Sequence, residues 1–222
     1  MDFIFMLTRG DETVKDCLEL FDAIRPLDLA HVGFKDVGVD AETLHVLNRR
    51  IKESGATSYL EVVSTTPEAC LRSAEMAVEI GVDRLLGGTD VDAVLRLLAG
   101  GTIRYYPFPG FPRGHPTRLA GKEADVAEHC RAFMAKGCAG ADLLAYRAVE
   151  AEPLALVRAA RAALGGGYLI VAGSIDSPRR INELAAAGAD AFTIGSAIFE
   201  GAFSPHKGAL LSQLRDVLAA CA

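Results

Sequence analysis

Short apolar runs alternate along the chain with longer segments in which apolar residues recur at helical spacing. The runs are apolar on both faces, which is typical of a parallel sheet covered by helices. They predict strands at residues 3–8, 29–34, 58–63, 84–86, 103–106, 142–146, 168–172 and 191–194. The amphipathic segments predict helices at residues 13–24, 41–53, 67–80, 91–98, 122–136, 153–164, 178–187 and 207–220. Eight alternating pairs predict an α/β fold, a single (β/α)8 TIM barrel domain spanning residues 1–222, with an open doubly wound sheet as the alternative.

Turn residues mark the boundaries of these units. Gly81 and Gly188 follow helical segments, where glycine commonly ends a helix in the left-handed conformation. Thr66, Asp90 and Ser177 precede helical segments and are predicted N-caps, two of them followed by proline. The chain provides about 28 residues for each βα unit, which is sufficient for a compact barrel.

One connection is much longer than the others. Residues 106–121 contain four prolines, and the composition predicts no regular structure there. Long irregular βα loops are usually functional, because barrel active sites are built from those loops. We expect residues 107–121 to form a mobile cover over the barrel mouth, with Arg113 and His115 within reach of a substrate.

Composition excludes several classes of function. The net charge of −6 shows no basic excess, so nucleic acid is not an expected partner. The apolar runs are too short to span a membrane, and the N-terminal run lacks the basic flank of a signal peptide. The five cysteines form no CxxC pair, which favours a reducing, cytoplasmic location. HxH, HExxH and GxGxxG motifs are absent, so neither a metal nor a dinucleotide cofactor is expected.

Two predicted strands end in Gly-Ser. Gly173-Ser174 follows the seventh strand and Gly195-Ser196 follows the eighth. Glycine lets the backbone approach an anion closely, and barrels commonly bind phosphate with the loops after these two strands. The two turns therefore predict a phosphate site formed by Gly173, Ser174, Gly195 and Ser196.

This C-terminal quarter resembles the ribulose-phosphate-binding barrel superfamily. That superfamily includes phosphoribosyl-formimino aminoimidazole isomerase, N-acylmannosamine-6-phosphate 2-epimerase, indole-glycerol-phosphate synthase and thiamine-phosphate synthase. The shared pattern is a glycine-rich turn after one strand, a helix ending in Gly188-Ala189-Asp190 and a strand ending in Gly195-Ser196-Ala197. The resemblance implies phosphate binding. It does not extend to catalysis, because Thr8-Arg9 and the seventh-strand turn lack the acidic residues used in those isomerases and epimerases.

Two charged residues lie in otherwise apolar strands. Lys35 closes the second strand and Glu61 lies in the third. Alternation along the second strand puts Lys35 on the inner face, because Val32 and Phe34 suit the helix-facing side. A lysine–carboxylate pair at a barrel mouth can transfer a proton next to a carbonyl, or the lysine can form a Schiff base. A structural ion pair is the alternative, and the sequence leaves open whether burial or Glu61 decides the pKa of Lys35.

The sequence thus predicts a metal-independent enzyme with a small phosphorylated metabolite as its partner. A phosphosugar isomerase or epimerase, with Lys35 and Glu61 catalytic, is the first expectation. A Schiff-base aldolase-type lyase acting through Lys35 is the second, and a non-catalytic sensor of phosphorylated metabolites is the third. Arg9, Arg113 and His115 are the predicted substrate-binding residues. Apolar helices near residues 154–164 and 210–218 would permit a homodimer.

Overall fold

A computed structural model of the chain describes residues 1–64 and 66–221. Eight parallel strands lie side by side in the order 6-7-8-1-2-3-4-5. Two backbone hydrogen bonds, from Ala139 N–H to Tyr105 O and from Asp142 N–H to Pro107 O, link the fifth strand to the sixth. The strands are β1 (Asp2–Met6), β2 (His31–Lys35), β3 (Thr57–Glu61), β4 (Arg84–Leu86), β5 (Arg104–Tyr106), β6 (Gly140–Leu143), β7 (Tyr168–Val171) and β8 (Ala191–Ile194).

The helices of the described residues surround this sheet. They are α1 (Cys17–Ile24), α2 (Ala41–Glu53), α3 (Pro67–Ile80), α4 (Val91–Leu98), α5 (Glu123–Ala135), α6 (Pro153–Leu164), α7 (Pro178–Ala187), the short α8 (Ser196–Phe199) and α9 (Leu210–Cys221). Helix ends follow the predicted chemistry in part: Thr66 and Ser177 occupy N-cap positions, but neither side chain accepts a capping hydrogen bond. The Asp90 side chain accepts a hydrogen bond from Ala93 N–H at 3.2 Å, and Gly81 and Gly188 end α3 and α7 in the left-handed conformation. The predicted α/β barrel fold is confirmed.

Apolar residues pack in two places. A large core fills the space between the strands and the helices, where Val32 and Phe34 are fully buried. A smaller cluster fills the inside of the barrel and consists of Ile4, Met6, Tyr59, Leu86, Tyr106, Ile170 and Ala191. Successive strand residues alternate between these two cores, as the period of a strand requires. This alternation decides which polar side chains reach the barrel interior.

An arginine held among aromatic rings occupies the N-terminal end of the interior. The Arg84 guanidinium lies 5.2 Å from the ring centre of Tyr59, 5.8 Å from that of Tyr106 and 5.1 Å from that of Tyr168. The Tyr168 hydroxyl donates to Asp2 at the start of β1. Cation–π contacts of this kind stabilise buried arginines. Side chains therefore fill the barrel interior at this end.

The observed elements differ most from the predicted ones in three places. β6 covers Gly140–Leu143 rather than residues 142–146, and a 3-10 turn, Ala145–Arg147, follows it. α1 begins at Cys17 because residues 8–13 form a small hairpin. The prediction of no regular structure at 106–121 was wrong. Phe111–Arg113 pairs with Arg118–Ala120 as an antiparallel hairpin, which tolerates proline because both of its strands are edges.

Four of the five cysteines are buried, and Cys221 is half-buried. Burial raises the pKa of the Cys130 thiol to about 12 and that of Cys138 to about 11. No described helix is both long enough and apolar enough to cross a bilayer.

Candidate active site

A cavity of about 290 Å³ opens at the carboxyl ends of the barrel strands. Strands from opposite sides of the barrel contribute to it, so residues far apart in the chain meet there. Six of the predicted site residues line it, namely Lys35, Glu61, Gly173, Ser174, Gly195 and Ser196. Their convergence follows from the parallel sheet, in which all carboxyl ends lie at one edge.

Four charged side chains form a linked cluster on one side of this cavity. Lys35 Nζ lies 2.7 Å from Asp11 Oδ1 and 3.6 Å from Glu61 Oε1. Arg147 binds Asp11 with both terminal nitrogens, at 3.1 Å and 3.0 Å. The Lys35, Glu61 and Asp11 side chains are at most 10% exposed. We call Asp11, Lys35, Glu61 and Arg147 the charge cluster.

The hairpin after β1 carries Asp11 into this cluster. Thr13 fastens the hairpin to β2, because its hydroxyl donates to Lys35 O and accepts from Lys35 N–H, each at 2.8 Å. Gly10 and Asp11 form the tip, where Asp11 has a left-handed φ of 65°. The hairpin thus folds back over the strand end that bears Lys35.

The charges of the cluster stabilise one another. Burial raises the pKa of Asp11, but its hydrogen bonds to Arg147 and the charge of Lys35 outweigh burial and hold that pKa well below its usual range. Burial lowers the pKa of Lys35, but the carboxylates of Glu61 and Asp11 outweigh it and leave the pKa raised. The paired carboxylates therefore favour the ammonium form of Lys35, on the question of balance that the sequence left open.

A third carboxyl group, near the charge cluster, does not line the cavity. Asp142 on β6 is fully buried, and neither of its carboxyl oxygens has a hydrogen-bond partner among residues 1–64 and 66–221. Burial raises the pKa of Asp142 well above its usual range, and the nearby Glu61 charge raises it further. Burial without a hydrogen-bond partner thus favours the neutral, protonated form of Asp142.

The two Gly-Ser turns form the other side of the cavity. Gly173 and Ser174 both have positive φ, 81° and 58°, and Arg147 passes directly over Gly173. A Cβ atom at Gly195 would lie 2.7 Å from Thr8 O, so the backbone there leaves no room for a side chain. Ser196 Oγ accepts a hydrogen bond from Gly10 N–H at 3.1 Å, which joins this turn to the hairpin tip.

The remaining predicted residues lie farther out. Arg9 is mostly exposed on the hairpin, with its Nε 3.9 Å from Glu200 Oε1 at the cavity rim. Arg113 and His115 are exposed in the hairpin of residues 111–120, which packs against α5. The structure thus brings Lys35 and Glu61 together with the Gly-Ser turns, and it places Arg113 and His115 outside that group.

Among the carboxyl groups near the cavity, Asp11 and Asp142 were missed in the sequence. Asp11 follows a glycine between the first predicted strand and the first predicted helix, where an aspartate is an ordinary turn residue. Asp142 carried the same signal as Glu61, a carboxylate within an apolar run. It was overlooked because the strand was predicted to begin there, whereas the structure puts Asp142 near its carboxyl end.

Comparisons with known proteins match the fold and leave the family open. No protein-family model matches the chain, and no curated protein matches its sequence. Solved structures do match. A KDPGal structure is 14% identical, with a TM-score of 0.67 over 100% of this chain and 96% of that one. Orotidine 5'-phosphate decarboxylase from Pyrococcus horikoshii is 12% identical, with a TM-score of 0.64 over 96% and 99%.

The chain shares their (β/α)8 fold. A third structure, the BexX/CysO complex of Amycolatopsis orientalis, is 20% identical, with a TM-score of 0.60 over 99% of this chain and 91% of that one. Identities this low support the architecture alone, and function has to be argued from the site.

Proposed function

We propose that this barrel binds a small phosphorylated carbonyl compound and transfers a proton at the carbon next to the carbonyl. An isomerase or epimerase is the form of this activity that the geometry favours. One observation carries the proposal: a buried lysine–glutamate pair and two Gly-Ser turns line the same cavity.

The Gly-Ser turns are the proposed phosphate end. Their backbone N–H groups can bind phosphate oxygens, and Arg147 above Gly173 adds a positive charge. Two carboxylates, Asp176 and Glu200, also line the cavity. Asp176 is paired with Arg180 at 2.8 Å, which reduces its repulsion of an anion.

Glu61 is the proposed base. Its carboxylate takes a proton from the carbon next to the carbonyl, and the C–H electron pair forms a carbon–carbon double bond while the carbonyl oxygen becomes negative. The Lys35 ammonium donates a hydrogen bond to that oxygen and stabilises its charge. Return of the proton to the same carbon on its other face gives an epimer. Return to the neighbouring carbon, with transfer of the hydroxyl proton, gives an isomer.

The state of Lys35 favours this scheme over its rivals. A Schiff base requires a neutral amine, whereas the carboxylates raise the Lys35 pKa. A lyase acting through Lys35 is the second candidate. The Lys35 amine lies in the cavity, and a substrate that displaced Asp11 would break the hydrogen bond between the two. A metabolite sensor is the third. Orotidine 5'-phosphate decarboxylase, which shares the fold, is named for a phosphorylated substrate, and this supports a phosphorylated ligand.

Exchange of substrate hydrogen in D₂O tests the proposal. We expect the protein to incorporate deuterium next to the carbonyl of at least one member of a panel of triose to hexose phosphates. Glu61→Gln should abolish the exchange, because the amide is not a base. Glu200→Gln is the matched control, since Glu200 is an exposed carboxylate on the same cavity, and it should retain exchange.

The same panel separates the alternatives. A borohydride-stable adduct on Lys35 would support the lyase. Tight phosphosugar binding with neither exchange nor adduct would support the sensor. Exchange that persists in Glu61→Gln would refute the assigned base.

A further inference from the structure

The side chain of Asp142 points into the barrel. Its neighbours Ala141 and Leu143 belong to the helix-facing core, so alternation turns Asp142 inward. Its register partner on β7 is Ile170, a member of the interior cluster. Asp142 is therefore enclosed by the barrel interior and has no exposed surface.

Three charged groups act on this carboxyl. They are the charges of Glu61 on β3, Lys35 on β2 and Arg147 in the turn after β6. On the flanking strands the inward residues are Tyr106 and Ile170, and the Tyr106 hydroxyl is likewise buried without a partner within the described residues. None of these groups is within hydrogen-bond distance of either Asp142 oxygen in the part of the chain that the structure describes.

An unpaired carboxylate at such a place would be very unstable. Burying an isolated charge costs far more than burying a neutral polar group, so the group keeps its proton instead. Lys35 and Arg147 oppose this effect, but both are already bound to Asp11. The geometry therefore favours the neutral acid.

We propose that Asp142 is a positioning residue of this site, a carboxylic acid that keeps its proton in the folded protein and thereby preserves the charge balance above it. The inference rests on the proposed proton transfer. The charge cluster contains two cations, Lys35 and Arg147, and two carboxylates, Asp11 and Glu61. An ionised Asp142 would add a third negative charge, repel Glu61 and compete for Lys35. That charge would draw the Lys35 ammonium toward Asp142 and away from the carbonyl oxygen whose negative charge it stabilises.

The retained proton can be measured without any substrate. The folded-state pKa of Asp142 is raised, so its contribution to stability is complete below about pH 4 and is lost as pH rises toward that folded value. We therefore expect the ratio of the wild-type folding constant to that of Asp142→Asn to fall about tenfold for each pH unit between about pH 4 and the folded pKa of Asp142. Urea unfolding between pH 4 and 8 measures this ratio. A flat ratio would overturn the inference.

A matched control variant and a second, independent measurement support the interpretation of this ratio. Asp16→Asn changes an exposed carboxylate whose side chain makes no capping bond to α1, and its ratio should stay flat. If Asp142→Asn does not fold, the infrared spectrum of the wild type at pH 7 decides. A carboxylic-acid C=O band, at a pH where exposed carboxyls are ionised, supports the inference, and its absence overturns it.

The pH dependence of deuterium exchange tests the positioning role of Asp142 separately. Asparagine imitates the neutral acid, so Asp142→Asn should exchange deuterium at neutral pH about as the wild type does. The wild type should lose exchange once the pH exceeds the folded pKa of Asp142, and Asp142→Asn should not show that loss. Identical profiles up to the folded pKa of Asp142 would refute the positioning role. Absence of exchange with every phosphosugar would refute the proposed function, while the stability ratio would still decide whether Asp142 keeps its proton.

Discussion

Asp11 is the residue on which the charges at the barrel mouth converge. It accepts one hydrogen bond from Lys35 and two from Arg147, and these residues come from three different parts of the chain. A carboxylate that binds two buried cations contributes to stability mainly because its removal leaves those cations unpaired. Asp11 is therefore both a part of the site and a brace between β1, β2 and β6.

Asp11→Asn should lower the free energy of unfolding at pH 7 by about 3 kcal/mol. Asparagine tolerates the left-handed φ of this position, so the loss reports the charge. The folded pKa of Asp11 is depressed, so its stabilisation is present above about pH 4 and disappears as pH falls through the folded value. Urea unfolding at pH 7 and below pH 4 measures this.

An exposed ion pair provides the control. Asp22 contacts Arg50 at 2.6 Å but is half exposed, and Asp22→Asn should cost about 1 kcal/mol or less. Equal losses from the two variants at pH 7 would contradict the bracing role of Asp11.

Single residues could be predicted from the sequence where they interrupt a regular pattern. Lys35 and Glu61 stand out in apolar strands, and alternation put Lys35 on the correct face. Asp11 could not be found in this way, because its role depends on a hairpin that folds back across the mouth. Contacts between distant loops leave no periodic signal in a single sequence.

At the scale of elements, the hairpin of residues 111–120 is anchored to its surroundings. Leu119 is fully buried and its carbonyl accepts a hydrogen bond from Val149 N–H. Gly110 N–H donates to His129 Nδ1 on α5 at 3.0 Å, and the His129 ring meets Phe111 edge to face at 5.3 Å. These contacts hold the hairpin, which the sequence suggested as a mobile cover over the barrel mouth, against the side of the barrel.

His129→Ala should loosen this hairpin. The variant leaves the buried Gly110 N–H without its acceptor, which costs about 1–2 kcal/mol, and removes the contact with Phe111. We expect faster amide hydrogen exchange in residues 110–121. His45→Ala, an exposed histidine on α2, should leave that exchange unchanged. If His129→Ala also leaves it unchanged, the anchoring lies elsewhere in the hairpin.

Elements were predictable where one period ran for several residues. The bounds of α2, α3, α4, α6 and α7 agree with those predicted from helical spacing and turn residues. The hairpin was missed because prolines at 109, 112 and 116 suggested irregular structure. β6 was misplaced because the glycines at 137 and 140 suggested a longer turn, whereas Gly140 begins the strand.

Across the whole molecule, the two ends of the barrel differ in chemistry. The carboxyl end holds the charge cluster and the cavity, and the amino end holds Arg84 among three tyrosines. The eight strands predicted from the alternation of apolar runs and amphipathic segments form the sheet. The order of the strands in the sheet determines which strand ends lie close together. The sequence alone could not provide the distances between them, because those depend on the register and the tilt of the strands.

Binding of phosphate at the Gly-Ser turns should stabilise the whole barrel. Inorganic phosphate at ten times its dissociation constant would add about 1.4 kcal/mol. That should raise the melting temperature by about 3–5 °C relative to sodium chloride of equal ionic strength. Ser174→Asp should remove the rise, because it puts a carboxylate at the proposed phosphate site.

Ser174→Asn is the matched variant. Asparagine and aspartate both tolerate the positive φ of Ser174, and they differ mainly in charge. We expect the asparagine variant to keep the rise in melting temperature. A full rise in the aspartate variant would place phosphate away from this turn.

The four buried cysteines can report local opening of the folded protein, because a reagent reaches them only when the structure opens. A thiol reagent attacks the thiolate, and burial both shields these sulfurs and raises their pKa. In the folded barrel the half-buried Cys221 is the most exposed of the five cysteines, so we expect it to be labelled first. The number of labels acquired over time therefore counts opening events around α1, α3 and α5, without any introduced probe.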